Sequence, residues 1–99
     1  MYARIHTLES TPEQHEEGLT IIREQLLPWT RDSTGFRGMI GLSDRAAGID
    51  LVITLWADEE SLRASEEAGD QFGALTAKVT GATRRGLDDY EVTLFELVT

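Results

Sequence analysis

Apolar positions along the chain switch between a two-residue and a three-to-four-residue period, and the switches mark out its elements. Tyr2 to Glu9 alternates, with Tyr2, Arg4, His6 and Leu8 on one face and Ala3, Ile5 and Thr7 on the other, which predicts a strand. Thr11, Pro12 and Gln14 then supply a cap, a first-turn proline and the far half of a capping box. The helix they open shows His15, Leu19, Ile22, Leu26 and Trp29 on one stripe and is expected to end near Pro28. Arg31 to Gly35 reads as a loop and Phe36 to Ser43 as a second strand, thinned by Gly38 and Gly41. Ser43 to Gly48 is a hairpin connection.

The stretch from Ile49 to Trp56 is the most continuously apolar in the chain, through Leu51, Val52, Ile53 and Leu55, and predicts a strand covered on both faces. Asp58 caps a second helix, with Glu59 and Glu60 at its positive end. Leu62, Ala68, Phe72, Leu75 and Val79 carry its stripe, and Gly69 predicts a break. Gly81 to Gly86 reads as a turn region and Asp89 to Val98 as the last strand.

The order βαββαβ with right-handed crossovers predicts an α+β, ferredoxin-like domain over residues 1–99, its antiparallel sheet ordered 4-1-3-2 with both helices on one face. Ile5, Leu51, Ile53, Leu55 and Leu97 are then left on the far face if Tyr2, Val52, Trp56, Tyr90 and Val92 meet the helices. An uncovered apolar face of that size predicts a homodimer packed sheet to sheet.

Composition narrows the function more than the fold. A formal charge of −9, with 18 acidic and 9 basic residues and no basic stripe, argues against nucleic acid. The absence of cysteine removes disulfides, thiol nucleophiles and Cys-based metal sites. No apolar run is long enough for a membrane span, and a cytoplasmic location is the expectation.

The strand MYARIHTLES, the segment TGFRG, the Ser43–Gly48 hairpin and above all VITLWADEESLRAS together resemble the antibiotic biosynthesis monooxygenase family of dimeric α/β barrels. The resemblance spans essentially the whole chain. It implies a cavity between sheet and helices. It also implies cofactor-free oxidation of polycyclic aromatic, polyketide-like substrates by O₂, or, in relatives, haem degradation. Trp56 matches the family's tryptophan at the end of the third strand. The asparagine of quinone-forming members falls on Val52 and their helix tyrosine on Leu62; the haem-degrading positions fall near His6, Ser65 and Ala74 or Leu75. The chain has no asparagine at all.

Two residues stand out on the first strand. Arg4 and His6 share its inward face, where a charge and an imidazole cost desolvation unless something polar meets them. His6 is the candidate general base toward a phenol; pairing of Arg4 with a last-strand carboxylate such as Glu91 or Glu96 is the structural alternative. Trp56, Arg4, His15, Phe72 and Tyr90 are candidate substrate-binding residues, Trp56 by stacking and indole donation, the aromatics otherwise as core. His15 would face His6 across the cavity, but two histidines without a motif predict no metal site. The resulting expectation is a cofactor-free monooxygenase of the antibiotic biosynthesis type in which His6 deprotonates a phenol held against Trp56. A non-catalytic ligand-binding or interaction dimer of the same fold, or a cyclase or isomerase, is the alternative.

Overall fold

Strands β1 (Tyr2–Glu9) and β3 (Ile49–Trp56) pair antiparallel along their whole length, from Tyr2 against Trp56 to Glu9 against Ile49. They form the middle of the sheet because they are the strands apolar enough to be covered. The edges are β2 (Phe36–Asp44), rich in glycine, and β4 (Thr83–Glu91), rich in charge, both suited to an exposed flank. The computed structural model describes residues 1–98. Its sheet order, β2-β3-β1-β4, is the predicted 4-1-3-2 read from the other edge.

Direct partners across a sheet share a face, which settles what the helices cover. Arg4 pairs with Thr54 and His6 with Val52, so these residues, with Leu8 and Trp56, look toward the helices. Ile5 pairs with Ile53 and Ile40 with Ile53 from the other side, placing them on the outer face.

The first crossover runs through α1 (Pro12–Ile21), a π-helical turn (Ile22–Leu26) and α2 (Leu27–Arg31). Thr11 and Gln14 close the predicted capping box. The helix ends at Arg31, within a turn of Pro28. In the wide turn the Leu27 N–H reaches Ile22 O, and Pro28, which has no N–H to give to Glu24, is carried at the first positions of α2. The proline is absorbed by one π turn.

The second crossover is α3 (Glu59–Ala64), capped by the Asp58 carboxylate on the Ser61 N–H, followed by α4 (Glu66–Thr80). The break falls at Ser65, whose hydroxyl donates to Leu62 O, rather than at Gly69. Gly81, at φ +79°, ends α4 in the left-handed region that glycine favours.

The last strand is displaced from its predicted place. It begins at Thr83, six residues before Asp89, and ends at Glu91, leaving residues 92–98 outside any strand. The early half carries no apolar alternation; it pairs with β1 from Thr83 onward, and its arginines find carboxylates, Arg84 meeting Asp70 and Arg85 meeting Glu9. A bulge between Thr7 and Leu8 absorbs the register. The correction carries to side-chain faces. Tyr90 pairs with Ala3 on the outer side of the sheet, not the helix side, and Leu97 lies beyond the strand.

Candidate functional site

Between the sheet and α4 lies a small apolar cavity of about 30 Å³, lined by His6, Val52, Trp29, Trp56 and Phe72 among others. Two glycines let the helix approach this closely. A Cβ at Gly69 would stand 3.3 Å from Arg4 Nη1, and one at Gly73 would stand 3.1 Å from His6 Nδ1. The glycines that weaken α4 as a helix are the ones that seat it over the polar pair of β1.

Arg4 is 1% exposed and fully engaged. Its Nε donates to Asp89 Oδ1 at 3.0 Å, Nη1 to Ser65 Oγ at 2.9 Å and Nη2 to Leu62 O at 2.9 Å. The expected last-strand carboxylate is Asp89 rather than Glu91 or Glu96. The guanidinium thus knits β1, β4 and the α3–α4 junction, and leaves little to offer a ligand.

His6 differs. It is buried, and its Nδ1 has no hydrogen-bond partner. Burial first, then the Arg84 and Arg4 guanidiniums, push its pKa down from 6.5 to about 4, against smaller opposing effects of Asp70 and Asp89. The imidazole is therefore neutral at physiological pH, and its unpartnered Nδ1 lies against α4 at Gly73, beside the Arg84 guanidinium. Arg84, which sequence reasoning passed over, is itself held at Asp70: Nη1 donates to Asp70 O at 3.3 Å, and Nη2 lies 2.7 Å from Asp70 Oδ1 without hydrogen-bond alignment. Its signal was the pairing register of β4, which the misplaced strand concealed.

The aromatics divide. Trp56 is 2% exposed, meets Phe36 edge to face at 5.5 Å and donates its indole N–H to Thr54 Oγ1 at 3.0 Å. It can present a ring edge or face to a ligand, but its donor is taken. Phe72 stacks on Trp29 at 6.3 Å, and both line the cavity. Tyr90 does not; it is exposed on the outer side of β4.

Nor does His15 face His6. Its Nδ1 lies 2.8 Å from Asp50 Oδ1 and its Nε2 lies 3.1 Å from Arg45 Nη2, at the edge of a second and larger space. This groove, about 600 Å³, runs between α1 and the β2–β3 pair and shares Leu8, Ile22, Val52 and Thr76 with the inner cavity as common walls. Gly18 and Gly41 border it, and a Cβ on either would meet nothing within 4 Å. A space of this size with apolar walls and a few polar groups is the kind that holds a small molecule.

Haem does not match the residues present. The resemblance places its axial ligand near Ala74 or Leu75, which cannot bind iron, and the tryptophan position is Ser65, already hydrogen-bonded to Arg4 and Leu62. Among the described residues, no helix is long and apolar enough to cross a membrane.

No protein-family model and no curated protein matches the sequence. Solved structures do match its fold. A monooxygenase from the ActVA-Orf6 gene of Streptomyces coelicolor, in complex with nanaomycin D, is 12% identical over 99% of this chain and 90% of its own, with a TM-score of 0.68. SnoaB, a cofactor-independent oxygenase from Streptomyces nogalater, is 14% identical over 95% of this chain and 94% of its own, also at 0.68. The haem degrader MhuD of Mycobacterium tuberculosis, with two haems bound, is 21% identical over 97% and 99% at 0.70. The likeness is one of architecture: the chain has the α+β, ferredoxin-like fold of the antibiotic biosynthesis monooxygenases.

Proposed function

We propose that this protein binds a flat hydroxylated aromatic molecule between sheet and helices and oxidises it with O₂ as a cofactor-free monooxygenase of the antibiotic biosynthesis type. The observation that carries the reading is His6: a neutral, buried imidazole with an unpartnered nitrogen, set among Trp29, Trp56 and Phe72 beside a groove of ligand size. The named activities of the structural neighbours in Streptomyces support the reaction class.

In the proposed reaction His6 takes the phenolic proton. The guanidiniums of Arg84 and Arg4 that disfavour an imidazolium also favour the phenolate, so the charge created on substrate is met where the charge on the base is disfavoured. One electron passes from the phenolate to O₂, the two radicals combine at the para carbon, and loss of water from the hydroperoxide leaves a quinone. One oxygen atom enters the ring and the other leaves as water. The inner cavity of about 30 Å³ admits O₂, water or the ligand's hydroxyl rather than its aromatic rings, which we assign to the groove, reaching His6 past the shared wall at Val52. Replacing His6 with Gln should reduce oxygen uptake on hydroxylated naphthalenes and anthracenes at least a hundredfold, within the range of general-base removal, without loss of folding. Wild-type turnover in that variant contradicts the mechanism.

A second reading is favoured by the satisfied donors of Arg4 and Trp56. The same fold would then bind an aromatic ligand, as one half of a homodimer, without turning it over. Ligand binding with no oxygen consumption by the wild type distinguishes it. Under either reading we propose a dimer built on the outer sheet face, where Ile40, Leu42 and Tyr90 are exposed, together with the apolar segment that carries Leu94, Phe95 and Leu97.

A further inference from the structure

At the outer end of the groove the chain builds a second acid–base arrangement. Asp50 accepts from Ser43 Oγ at 2.6 Å and lies 2.8 Å from His15 Nδ1. A carboxylate can only accept, so Nδ1 carries the ring proton. Arg45 Nη2, which can only donate, stands 3.1 Å from Nε2, so Nε2 presents its lone pair. The tautomer is thus fixed from both sides. Burial alone would raise the Asp50 carboxyl, but hydrogen bonds from Ser43, His15 and Ser10 hold it below the usual carboxylate range, and it stays ionised. A histidine oriented this way by a carboxylate is arranged to accept a proton at Nε2 and to be stabilised once it has done so.

Three further observations bear on what would deliver that proton. His15 and Asp50 both line the groove, their side chains only 11% and 16% exposed. The Arg45 side chain that now covers Nε2 is 70% exposed, held otherwise by a 3.5 Å contact to Glu16, and can swing aside. Val52, opposite His6, lies two residues from Asp50 on β3, about 7 Å along the strand. That spacing suits the two ends of one fused-ring molecule.

We infer that His15, positioned by Asp50, is a second proton acceptor of this site, taking the proton of an ionisable hydroxyl at the far end of a fused-ring ligand whose other end lies toward His6. The ligand O–H breaks, an N–H forms at Nε2, and the electron pair stays on the ligand oxygen, where Arg45 swings to meet it. The inference rests on the reading that the groove holds an aromatic hydroxy compound. It narrows that class to molecules with acidic oxygens at both ends, whose ionisation would enrich the ring in electrons. The groups facing His15 are Asp50 on β3, Ser43 and Asp44 on β2, Arg45 in the hairpin turn and Glu16 on its own helix. Apart from Arg45 its charged neighbours are carboxylates. His6 stands among guanidiniums.

A coloured probe separates the possibilities. 2,6-Dihydroxyanthraquinone, with an acidic hydroxyl at each end, changes its absorption as it ionises, so its first ionisation can be titrated while bound to the protein. The apparent pKa of that step should fall by roughly one unit or more in the wild type, as for an acid beside an acquired opposite charge. His6→Gln should keep that shift, His15→Gln and Asp50→Asn should lose most of it, and Arg45→Ala, an exposed change that cannot unfold the chain, should lose part. A wild-type shift in His15→Gln, or a shift abolished by His6→Gln alone, overturns the inference and leaves the groove reading standing. Failure of the wild type to bind the probe overturns both.

Discussion

Two buried polar residues on one strand face carry different burdens. Arg4 is structural: its three hydrogen bonds join two strands and a helix junction. Replacement by Met should lower the unfolding free energy by about 3 kcal/mol, because Ser65, Leu62 O and Asp89 all lose a partner. Lys should not restore it, since a point charge cannot reach three directions. Urea unfolding of both variants checks this; a cost below about 1 kcal/mol for either contradicts it. His6 links the site to acid stability. With its pKa lowered from 6.5 to about 4, the unfolded chain binds the proton first as pH falls. Stability is therefore full above the unfolded value and declines between pH 6.5 and 4, by up to about 3 kcal/mol. His6→Gln should flatten that limb in unfolding free energies taken at pH 4.5 and 7.5. An unchanged slope would mean that His6 is not held neutral.

Among the elements, α4 trades its own stability for approach to the sheet. Gly18 on α1 faces open space, so Gly18→Ala should gain about 0.5–1 kcal/mol, the ordinary helix propensity difference. Gly73→Ala should gain nothing, because its Cβ would stand 3.1 Å from His6 Nδ1 and 3.4 Å from the Arg84 guanidinium. Equal gains at both sites, measured by urea unfolding, would contradict the close-approach role. The capping box, the central strand and the sheet order were legible in the sequence because each is a local pattern with one physical cause. What was not legible depended on partners distant in sequence. The first half of β4 pairs with β1 without apolar alternation, its Arg84 and Arg85 finding Asp70 and Glu9, and Pro28 is carried by one π turn. His6 and Arg4 could be picked out as an anomaly on an apolar strand. That Arg4 would be spent on three partners, and that His15 would turn to Asp50, required the folded chain.

For the whole molecule, the outer sheet face and residues 92–98 leave a set of exposed apolar side chains that a monomer has no use for, among them Ile40, Leu42, Leu94 and Leu97. Leu42→Lys combined with Leu97→Lys should convert a dimer to a monomer in light scattering, with the helical circular dichroism unchanged. A dimer mass retained by the double variant would contradict the proposed interface. The reaction itself is tested most directly by oxygen consumption. Purified, chelator-treated protein is mixed with 1,8-dihydroxyanthracene in an oxygen electrode, with His6→Gln run beside it. Uptake of one O₂ per quinone formed by the wild type, and at least a hundredfold less by the variant, is the expected result. Binding of the compound with no oxygen uptake by the wild type would contradict the oxygenase and leave a ligand-binding protein of the same fold.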